Sequence, residues 1–290
     1  MINRRFGIEL EMAGISREDA AKVVAEFFGS FVRHEFSYDC YFCLDSEGRK
    51  WKMMSDSSIS SSFSGGCEFV TPLCDWNDIE KIQQIVRLLK AAGAKVNDSC
   101  GLHVHVDVAD YEAQNVKNLV NMVAMREDMI LKALGTQERR IRRWCQKVDV
   151  RFLQNLNSVS KLSLGKIEAA WYGGESRRNI HYDDSRYRVL NLHSLWQGKG
   201  IELRCFEATM HAGEIKAYIQ FSLALCERAK TMRSARYSQV ALNDSVHSFG
   251  DWLYRLGIAG DEYATCYHHM MKRLDGKSWS ERKISRGQAA

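Results

Sequence analysis

Three short segments of the chain alternate apolar residues with residues whose side chains can do chemistry. Successive side chains of a β-strand point to opposite faces, so residues two apart share a face. By that rule His103 and His105 lie on one face, and Val104 and Val106 on the other. The same alternation recurs in two further segments, whose polar residues are Glu9 and Glu11 in one and Glu202 and Arg204 in the other. Acids, histidines and an arginine in this pattern indicate a site for metal ions and phosphate.

The pair Glu9 and Glu11 is the first candidate metal site. Two carboxylates on one face repel each other unless a cation or a basic group lies between them. Their oxygen atoms are the ligands that a hard cation such as Mg2+ prefers. The alternative is that both acids face solvent on an edge strand, since glutamate is usually exposed.

His103 and His105 also allow two interpretations. Two histidines on one strand can bind zinc, or they can be ordinary residues of a polar face. No third residue completes a His-Glu-x-x-His motif, which disfavours a zinc hydrolase. Cys40 and Cys43 have the spacing of half a zinc site, but a second half is not evident.

Arginines surround the late acidic segment. Arg186, Arg188 and Arg204 lie near Asn191 and Glu202 in the sequence. A guanidinium binds phosphate in a planar, bidentate manner, so this arrangement suits a polyphosphate ligand. Salt bridges to other acids of the chain are the alternative. The sequence lacks the glycine-rich motifs that cradle phosphates, so a bound nucleotide would be held by metals and arginines.

The composition is that of an ordinary globular protein. The chain has 290 residues, 45% hydrophobic and 27% charged, with a formal net charge of +5. This mild excess of positive charge suits an anionic ligand but does not indicate a nucleic-acid partner. The start of the chain lacks the apolar core of a signal peptide, and no apolar run reaches membrane-spanning length. With nine cysteines in no regular framework, we expect a cytoplasmic protein with free thiols and no membrane partner.

The remaining segments predict the elements that position these residues. Short strands or a hairpin are expected between Arg33 and Met54. The serine-rich residues 55–66 form either a flexible surface loop or, as we favour, a loop that closes over a ligand. Residues 136–185 show no clear pattern. We expect a catalytic domain over residues 1–230, with a helical extension over 231–290 packed on it and a flexible tail over 277–290. Helices are predicted over Ala20 to Phe31 after a Ser16 cap, Asp75 to Ala92, Asp110 to Gly135, and Ala212 to Met232.

Taken together, the motifs resemble the amidoligase family, carboxylate–amine ligases related to glutamine synthetase and glutamate–cysteine ligase. The matching stretches follow the family's order and run from the start of the chain to about residue 225. They are Phe6–Glu11, Trp51–Lys52 leading to Asp56–Ile59, Glu68–Leu73, Cys100–Val106, Arg186–Leu192 and Ile201–Thr209. Any one stretch is unspecific, whereas the ordered set is specific.

The resemblance implies an α+β fold: a curved, mainly antiparallel sheet with a glutamine-synthetase-like catalytic face, helices packed behind it and a helical C-terminal region. It also implies an ATP-dependent ligase that forms an amide or isopeptide bond through an acyl-phosphate intermediate, with Mg2+ or Mn2+. The metal ligands it implies are Glu9, Glu11, Glu68, His103, His105 and Glu202. It implies catalytic roles for Asp56, Arg186 and Arg204, and nucleotide contacts by Arg188, Asn191 and Arg204.

Two other functions stay open. One is a metal-dependent hydrolase that uses the strand of His103 and His105, with acids, to activate water. The other is a nucleotide-binding or peptide-binding module on a ligase-like scaffold. The amine and carboxylate substrates are not identified, and an amino acid, a peptide and a protein side chain all qualify. A homo-oligomer is compatible with the sequence, which shows no interface.

Overall fold

The computed structural model describes residues 2–36, 39–62, 66–238 and 245–277. The chain forms two compact units. The first comprises the residues up to Val106 together with Phe206–Ile219, and the second comprises Asp107–Cys205 together with the residues from Gln220 onward. These units do not test where a catalytic domain ends, so the boundary at residue 230 stays a prediction. Residues 278–290 of the expected tail lie outside the described residues.

Six antiparallel strands form the sheet of the first unit. They are β1 (Phe6–Met12), β2 (Arg33–Glu35), β3 (Cys40–Leu44), β4 (Lys50–Met54), β5 (Cys67–Val70) and β6 (Gly101–Val106). Their order across the sheet is β2-β3-β4-β5-β1-β6, so β1 is paired on both sides, with β5 and with β6. The strands predicted between Arg33 and Met54 are confirmed.

One face of β1 is apolar and fully buried. Leu10 is directly opposite Phe69 of β5 and Leu102 of β6, and all three side chains are 0% exposed. Burying a side chain of this size contributes roughly 1.5–3 kcal/mol. Because the strand alternates, this burial fixes the opposite face of β1 as the one that carries Glu9 and Glu11.

Two helices of the first unit are α1 (Arg17–Phe27), which packs against β3 and β4, and α2 (Asp78–Ala91), which packs against α1. The predicted cap of α1 is confirmed, because the Ser16 side chain accepts a hydrogen bond from the Asp19 backbone N–H. Asp75 was predicted to cap α2, but the N-cap residue is Asn77, two positions later. The Asp75 carboxylate instead accepts from the backbone N–H of Asn77 and forms a turn ahead of the helix.

The second unit is mainly helical. Its two strands, β7 (Leu190–Asn191) and β8 (Ile201–Glu207), pair antiparallel, and the last two residues of β8 belong to the first unit. The helices are α3 (Ala113–Leu134), α4 (Glu138–Arg143), α5 (Val150–Ser158), α6 (Leu164–Tyr172), α7 (His193–Trp196), α8 (Ala212–Thr231, which begins in the first unit), α9 (Val246–Arg255) and α10 (Ala264–Asp275). Helices predicted to end near Gly135 and Met232 are confirmed.

The described residues therefore form an α+β fold of eight strands and ten α-helices, with an antiparallel sheet and a helical C-terminal region, as predicted. All nine cysteines are free thiols and are buried. Every helix in the described part of the chain is too short or too polar to cross a membrane.

The end of β1 depends on a glycine, and its replacement tests the packing there. Ala13 exchanges two backbone hydrogen bonds of 2.8 Å with Lys95, and Gly14 follows with a φ of +77°. A Cβ at Gly14 would lie 2.8 Å from the carbonyl oxygen of Gly93. We expect Gly14→Ala to lower the free energy of unfolding by about 2–4 kcal/mol, measured by denaturant titration, because left-handed strain and a backbone clash add together.

The matched control is Gly29→Ala. Gly29 has a φ of +61°, and a Cβ there would meet no atom within 4 Å. In this variant only left-handed strain should lower the free energy of unfolding, by about 1–2 kcal/mol. If the free energy of unfolding falls equally in the two variants, the close approach of the Gly93 carbonyl to Gly14 adds nothing to the effect of Gly14→Ala.

Candidate functional site

Acidic and histidine side chains meet on the polar face of β1. Glu11 is directly opposite Glu68 of β5, and Glu9 is directly opposite His103 of β6. Directly opposite residues of an antiparallel pair share a face, with their side chains close together. His105 lies two residues beyond His103 and so shares the same face. The first unit therefore gathers five of the predicted metal ligands on one surface of its sheet.

Glu9 contacts both histidines. One carboxylate oxygen lies 3.1 Å from Nδ1 of His103, and the other lies 3.2 Å from Nε2 of His105. Burial raises the pKa of the Glu9 carboxyl, but the charge of His105 and the hydrogen bonds with both histidines outweigh it. The net effect holds that pKa well below its ordinary value. Glu9 is therefore an ionised carboxylate whose two oxygens are both oriented.

Glu11 is more deeply buried than Glu9, with 5% of its surface exposed. Its Oε2 accepts a hydrogen bond of 2.5 Å from the backbone N–H of Gly101, and its Oε1 lies 4.0 Å from Nε2 of His103. His103 therefore has a carboxylate on each side of its ring, Glu9 near Nδ1 and Glu11 near Nε2. Buried carboxylates are costly unless their charge is compensated, so this face favours a cation.

Asp56 brings a further carboxylate to this face. It follows β4, and its Oδ1 accepts a hydrogen bond of 2.7 Å from the backbone N–H of Ser58. One oxygen from each of Asp56, Glu11 and Glu68 lies within 4.8 Å of the other two. The turn that begins at Asp56 thus completes a group of three carboxylates.

The serine-rich segment after Asp56 is tied to the strand that carries the histidines. The backbone N–H of Ser60 donates to Oγ of Ser99 at 2.8 Å, and Nδ2 of Asn97 donates to the Ser60 carbonyl at 2.6 Å. Ser99 lies two residues before β6. Closure of this loop over a ligand stays a prediction, and residues 63–65 lie outside the described residues.

The donor atoms fit divalent cations. Glu9, Glu68 and His103 offer a second group of ligand atoms within 4.8 Å of one another, so Glu68 belongs to both groups. Donor atoms about 2.1 Å from an octahedral Mg2+ lie roughly 3–4 Å apart, which small side-chain movements would reach. Carboxylate oxygens with one imidazole suit Mg2+ or Mn2+. The chemistry of the donor set therefore fits the predicted metals.

In the second unit Glu202, the sixth predicted metal ligand, forms a buried ion pair. Glu202 and Arg204 lie two residues apart on β8, and they are 3% and 4% exposed. Nη1 of Arg204 bonds one carboxylate oxygen of Glu202, and Nδ2 of Asn191 donates to the other at 2.6 Å. Asn191 is directly opposite Glu202 in the pairing of β7 with β8. These three predicted residues are therefore in direct contact.

Asn191 also has a structural task. Its Oδ1 accepts hydrogen bonds from the backbone N–H groups of His193, at 2.8 Å, and Ser194, at 3.3 Å, at the start of α7. Both ends of its amide thus have partners inside the second unit. Its predicted contact with a nucleotide stays a prediction.

Tyr187 links two of the predicted arginines. The guanidinium carbons of Arg186 and Arg204 each lie 5.7 Å from the centre of its ring, within the range of a cation–π interaction. Arg186 also lies 5.4 Å from the ring centre of Tyr182. Sequence reasoning missed Tyr187, although it stands between Arg186 and Arg188, because a tyrosine between arginines carries no signal for the side chain it will contact.

Arg188 is held by a different segment. Its Nη1 donates to the backbone carbonyl of Lys147 at 2.9 Å, and its Nη2 lies 3.9 Å from Asp149. The described contacts of Arg188 are therefore with the segment between α4 and α5, whereas Arg204 contacts Glu202 and Tyr187. Its predicted nucleotide contact stays a prediction.

A family model decides the relationship of this chain. The model described as "putative amidoligase enzyme" matches residues 2–226. The chain belongs to this family. The match covers all the predicted site residues. It supports an enzyme of the ligase kind, which binds substrates. A search of curated proteins found no match for the chain.

Within this amidoligase, each unit brings several of the predicted site residues together. The first unit gathers six of them: Glu9, Glu11, Asp56, Glu68, His103 and His105. The second unit gathers Asn191, Glu202 and Arg204, with Arg186 across the ring of Tyr187.

Proposed function

We propose that this amidoligase is an ATP-dependent carboxylate–amine ligase that forms an amide or isopeptide bond. The observation that carries the proposal is the polar face of β1, where Glu68 belongs both to a group with Glu9 and His103 and to a group with Glu11 and Asp56. A face with several fixed carboxylates suits Mg2+ or Mn2+ with a polyphosphate. Family membership supports the ligase class.

We assign the metal ions to Glu9, Glu11, Glu68, His103 and His105, and on the family resemblance also to Glu202. When bound, the ions would neutralise phosphate charge that otherwise repels a second anion, the substrate carboxylate. The contacts of Glu9 with two histidines and of Glu11 with Gly101 hold these ligands in place before any ion binds. Such preorganisation lowers the cost of binding.

The proposed reaction has two steps. A carboxylate oxygen of the substrate attacks the γ-phosphorus of ATP and ADP leaves, which forms an acyl phosphate. The amine then attacks the acyl carbon, loses a proton and displaces inorganic phosphate. We assign Arg204 and Arg186 to the transferred phosphoryl group, since guanidinium groups stabilise charge that develops there. Arg188 and Asn191, with Arg204, are assigned to the nucleotide, and Asp56 is assigned to orienting the amine.

The substrates we propose are a carboxylate and an amine, each from an amino acid, a peptide or a protein side chain. The nine buried free thiols suit a reducing compartment, and we propose the cytoplasm.

The first test is the thermal unfolding of the purified chain with a nonhydrolysable ATP analogue and Mg2+ or Mn2+, beside each component alone and Zn2+ alone. A ligand that binds only the folded state raises Tm by mass action. We expect a rise that needs nucleotide and Mg2+ or Mn2+ together, followed by amine-dependent release of phosphate from ATP in turnover assays.

Two other results would redirect the proposal. A rise in Tm with Zn2+ alone, and none with nucleotide, would favour a metal-dependent hydrolase. A rise with nucleotide and Mg2+, but no phosphate release with any amine and carboxylate, would favour a nucleotide-binding module that has lost turnover.

A further inference from the structure

Aromatic and basic side chains form a continuous cluster in the second unit. Two segments contribute to it, residues 143–144 at the end of α4 and residues 181–187 before β7. Its members, here called the arginine–aromatic cluster, are Arg143, Trp144, His181, Tyr182, Arg186 and Tyr187. Only Arg186 among them has a role in the reaction proposed above, so the function of the other five is open.

Each member of the cluster contacts the next. The guanidinium carbon of Arg143 lies 4.6 Å from the ring centre of Trp144, and the Trp144 and Tyr187 rings meet edge to face with centres 5.2 Å apart. The guanidinium carbon of Arg186 lies 5.7 Å from the ring centre of Tyr187 and 5.4 Å from that of Tyr182. Guanidinium groups and rings attract each other at these distances, so both arginines are held by aromatic neighbours.

Backbone hydrogen bonds join the two segments of the cluster. The Gln146 N–H donates to the Tyr187 carbonyl at 2.9 Å, and the Val189 N–H donates to the Gln146 carbonyl at 2.8 Å. In the second segment, Oδ1 of Asp183 accepts a hydrogen bond of 2.9 Å from the Ser185 N–H, which fixes a turn. The fold itself therefore forms this surface, which lowers the cost of binding a ligand.

The cluster is accessible, and its arginines are not paired with acids. Tyr182 is 70% exposed, Arg143 and His181 are exposed, and the other three members are half-buried. In the described part of the chain, neither Arg143 nor Arg186 has a carboxylate partner. An aromatic ring leaves the N–H donors of a guanidinium available for a carboxylate. Both arginines can therefore bind an anionic ligand.

The positive charge of the chain is concentrated in the region that contains this cluster. Residues 138–188 include twelve basic and six acidic side chains, a net charge of +6, whereas the whole chain has +5. Three of the six acids are paired with arginines outside the cluster: Glu138 with Arg142, Glu168 with Arg178, and Asp183 with Arg177. Such a region attracts anions and repels an ammonium group. Of the two substrates of the proposed ligase, it suits the carboxylate.

The cluster also contacts a residue of the proposed reaction. The guanidinium carbon of Arg204 lies 5.7 Å from the ring centre of Tyr187, and the same arginine bonds Glu202. Arg204 and Arg186 are the two arginines that we assign to the transferred phosphoryl group. An anion bound on the cluster therefore lies beside these two arginines.

The cluster has room for more than one carboxylate. A carboxylate pairs with a guanidinium in a bidentate manner, so one carboxylate satisfies one arginine. Arg143 packs on Trp144, whereas Arg186 packs on Tyr182 and Tyr187, so the two arginines can hold separate carboxylates. The rings between them offer apolar surface to the methylene groups of a ligand. A single amino acid would leave one arginine unpaired.

We propose that the arginine–aromatic cluster binds the carboxylate substrate, and that this substrate is an acidic peptide segment. One side-chain carboxylate of the peptide binds at Arg186 and undergoes the two steps described above. A second carboxylate binds Arg143 and holds the peptide in place. The bond that forms is therefore an isopeptide bond. This inference rests on the proposed ligase function for the role of the peptide in the reaction, though not for its binding.

The test measures binding to the full chain by isothermal titration calorimetry, without nucleotide, in about 50 mM NaCl so that charges are little screened. The probes are N-acetyl-hexaglutamate amide, N-acetyl-hexaglutamine amide and N-acetyl-L-glutamate amide, which carry six, no and one carboxylates. We expect the hexaglutamate to bind at least 10-fold more tightly than either of the others. No binding of hexaglutamate, or an equal affinity for hexaglutamine or for the single glutamate, would overturn the proposal.

Single-stranded nucleic acid is another polyanion that binds arginines and aromatic rings. A peptide is favoured because the cluster lies beside Arg204 and the proposed reaction consumes a carboxylate. A thymidine heptanucleotide, whose six phosphates match the charge of the hexaglutamate, separates the two. We expect it to bind at least 3-fold more weakly than the hexaglutamate. If it binds as tightly or more tightly, the cluster is a nucleic-acid surface and the proposal is wrong.

Two variants at exposed positions locate the binding. Arg143→Gln should weaken the hexaglutamate at least 5-fold, and Tyr182→Ala at least 3-fold. The matched control is Arg151→Gln, which removes an exposed arginine of α5 from the same basic region but outside the cluster. The control should change the affinity less than 2-fold. Native-like binding by both cluster variants, or an equal loss in Arg143→Gln and Arg151→Gln, would show that the peptide does not bind at the cluster.

The inference and the proposed function fail in different ways. Binding of the hexaglutamate with the expected variant effects, but no release of phosphate from ATP, would support the peptide surface and reject the ligase function. Turnover of ATP with the hexaglutamate and an amine, at a KM for the peptide that is unchanged by Arg143→Gln and Tyr182→Ala, would support the ligase and reject this surface.

Discussion

Glu68→Gln is expected to lower the metal-dependent turnover of ATP by about 1,000-fold or more and to leave the fold intact. Glu68 belongs to both groups of ligand atoms, so its loss weakens each of them. An amide keeps an oxygen but lacks the charge that compensates a divalent cation, and hard cations prefer carboxylates. Steady-state release of phosphate at several concentrations of Mg2+ measures the loss, and excess Mg2+ should restore only part of it.

The same variant should raise the stability of the metal-free protein. Glu68 and Glu11 are directly opposite across β5 and β1, and like charges at such positions destabilise a sheet by roughly 0.2–1 kcal/mol. Glu68→Gln removes that repulsion. In thermal unfolding without metal its Tm should therefore equal or exceed that of the native chain, while the rise caused by nucleotide and Mg2+ should disappear. Stability and ligand binding then change in opposite directions.

The matched control is Glu35→Gln, at an exposed position of β2, an edge strand of the same sheet. It removes one carboxylate of the same type and should change neither turnover nor the response to metal. Normal turnover by Glu68→Gln would remove Glu68 from the proposed metal shell. A large drop in the Tm of Glu68→Gln without metal would instead show that Glu68 stabilises the fold. The loss of turnover in that variant would then not be evidence for metal binding.

Much of this face was predictable from local sequence. Strand alternation separates Glu9 and Glu11 from the apolar residues of β1, and it does the same for the histidines of β6. What local sequence does not contain is register. That Glu11 faces Glu68 and Glu9 faces His103 depends on pairings between residues 57 and 94 positions apart. The groups of ligand atoms therefore emerge only from the folded sheet.

Other features were not predictable for different physical reasons. The region 136–185 contains α4, α5 and α6, which have six to nine residues each, too few turns for a helical period to stand out. The groups that the arginines contact could not be predicted from the sequence either, because the guanidinium binds a carbonyl as readily as a phosphate. Arg188, bound to the Lys147 carbonyl, and Arg204, bound to Glu202, read alike in the sequence.

A buried acid outside the proposed site should make the stability of the chain fall as pH rises through neutrality. Glu127 of α3 is 5% exposed, and burial raises the pKa of its carboxyl to about 8, although hydrogen bonds from the Val148 N–H oppose the rise. Lys147 and Arg188 lower this pKa slightly, and Asp128 raises it. At pH 7 Glu127 is thus mainly protonated in the folded chain and ionised in the unfolded one.

The sign of the effect follows from proton linkage. Because the folded pKa lies above the unfolded value of 4.5, the folded state binds the additional proton between these two pH values. The contribution of Glu127 to stability is therefore complete below pH 4.5 and is lost as pH rises to about 8, at up to about 1.4 kcal/mol per pH unit. Glu127→Gln retains an acceptor for Val148 but does not ionise. The free energy of unfolding of Glu127→Gln should exceed that of the native chain by nearly zero at pH 4 and by a few kcal/mol at pH 8.

Denaturant titrations of both proteins between pH 4 and pH 9 measure this difference. Glu138→Gln, which removes an exposed carboxylate of α4, controls for the loss of one acidic residue from the same part of the chain. Its difference from the native chain should vary little over this range, because an exposed side chain changes its environment little on folding. If Glu127→Gln is less stable than the native chain at pH 8, the Glu127 carboxylate is ionised in the folded state and holds the Val148 segment by charge. A difference that does not vary with pH would lead to the same conclusion, since only a proton bound on folding produces the slope.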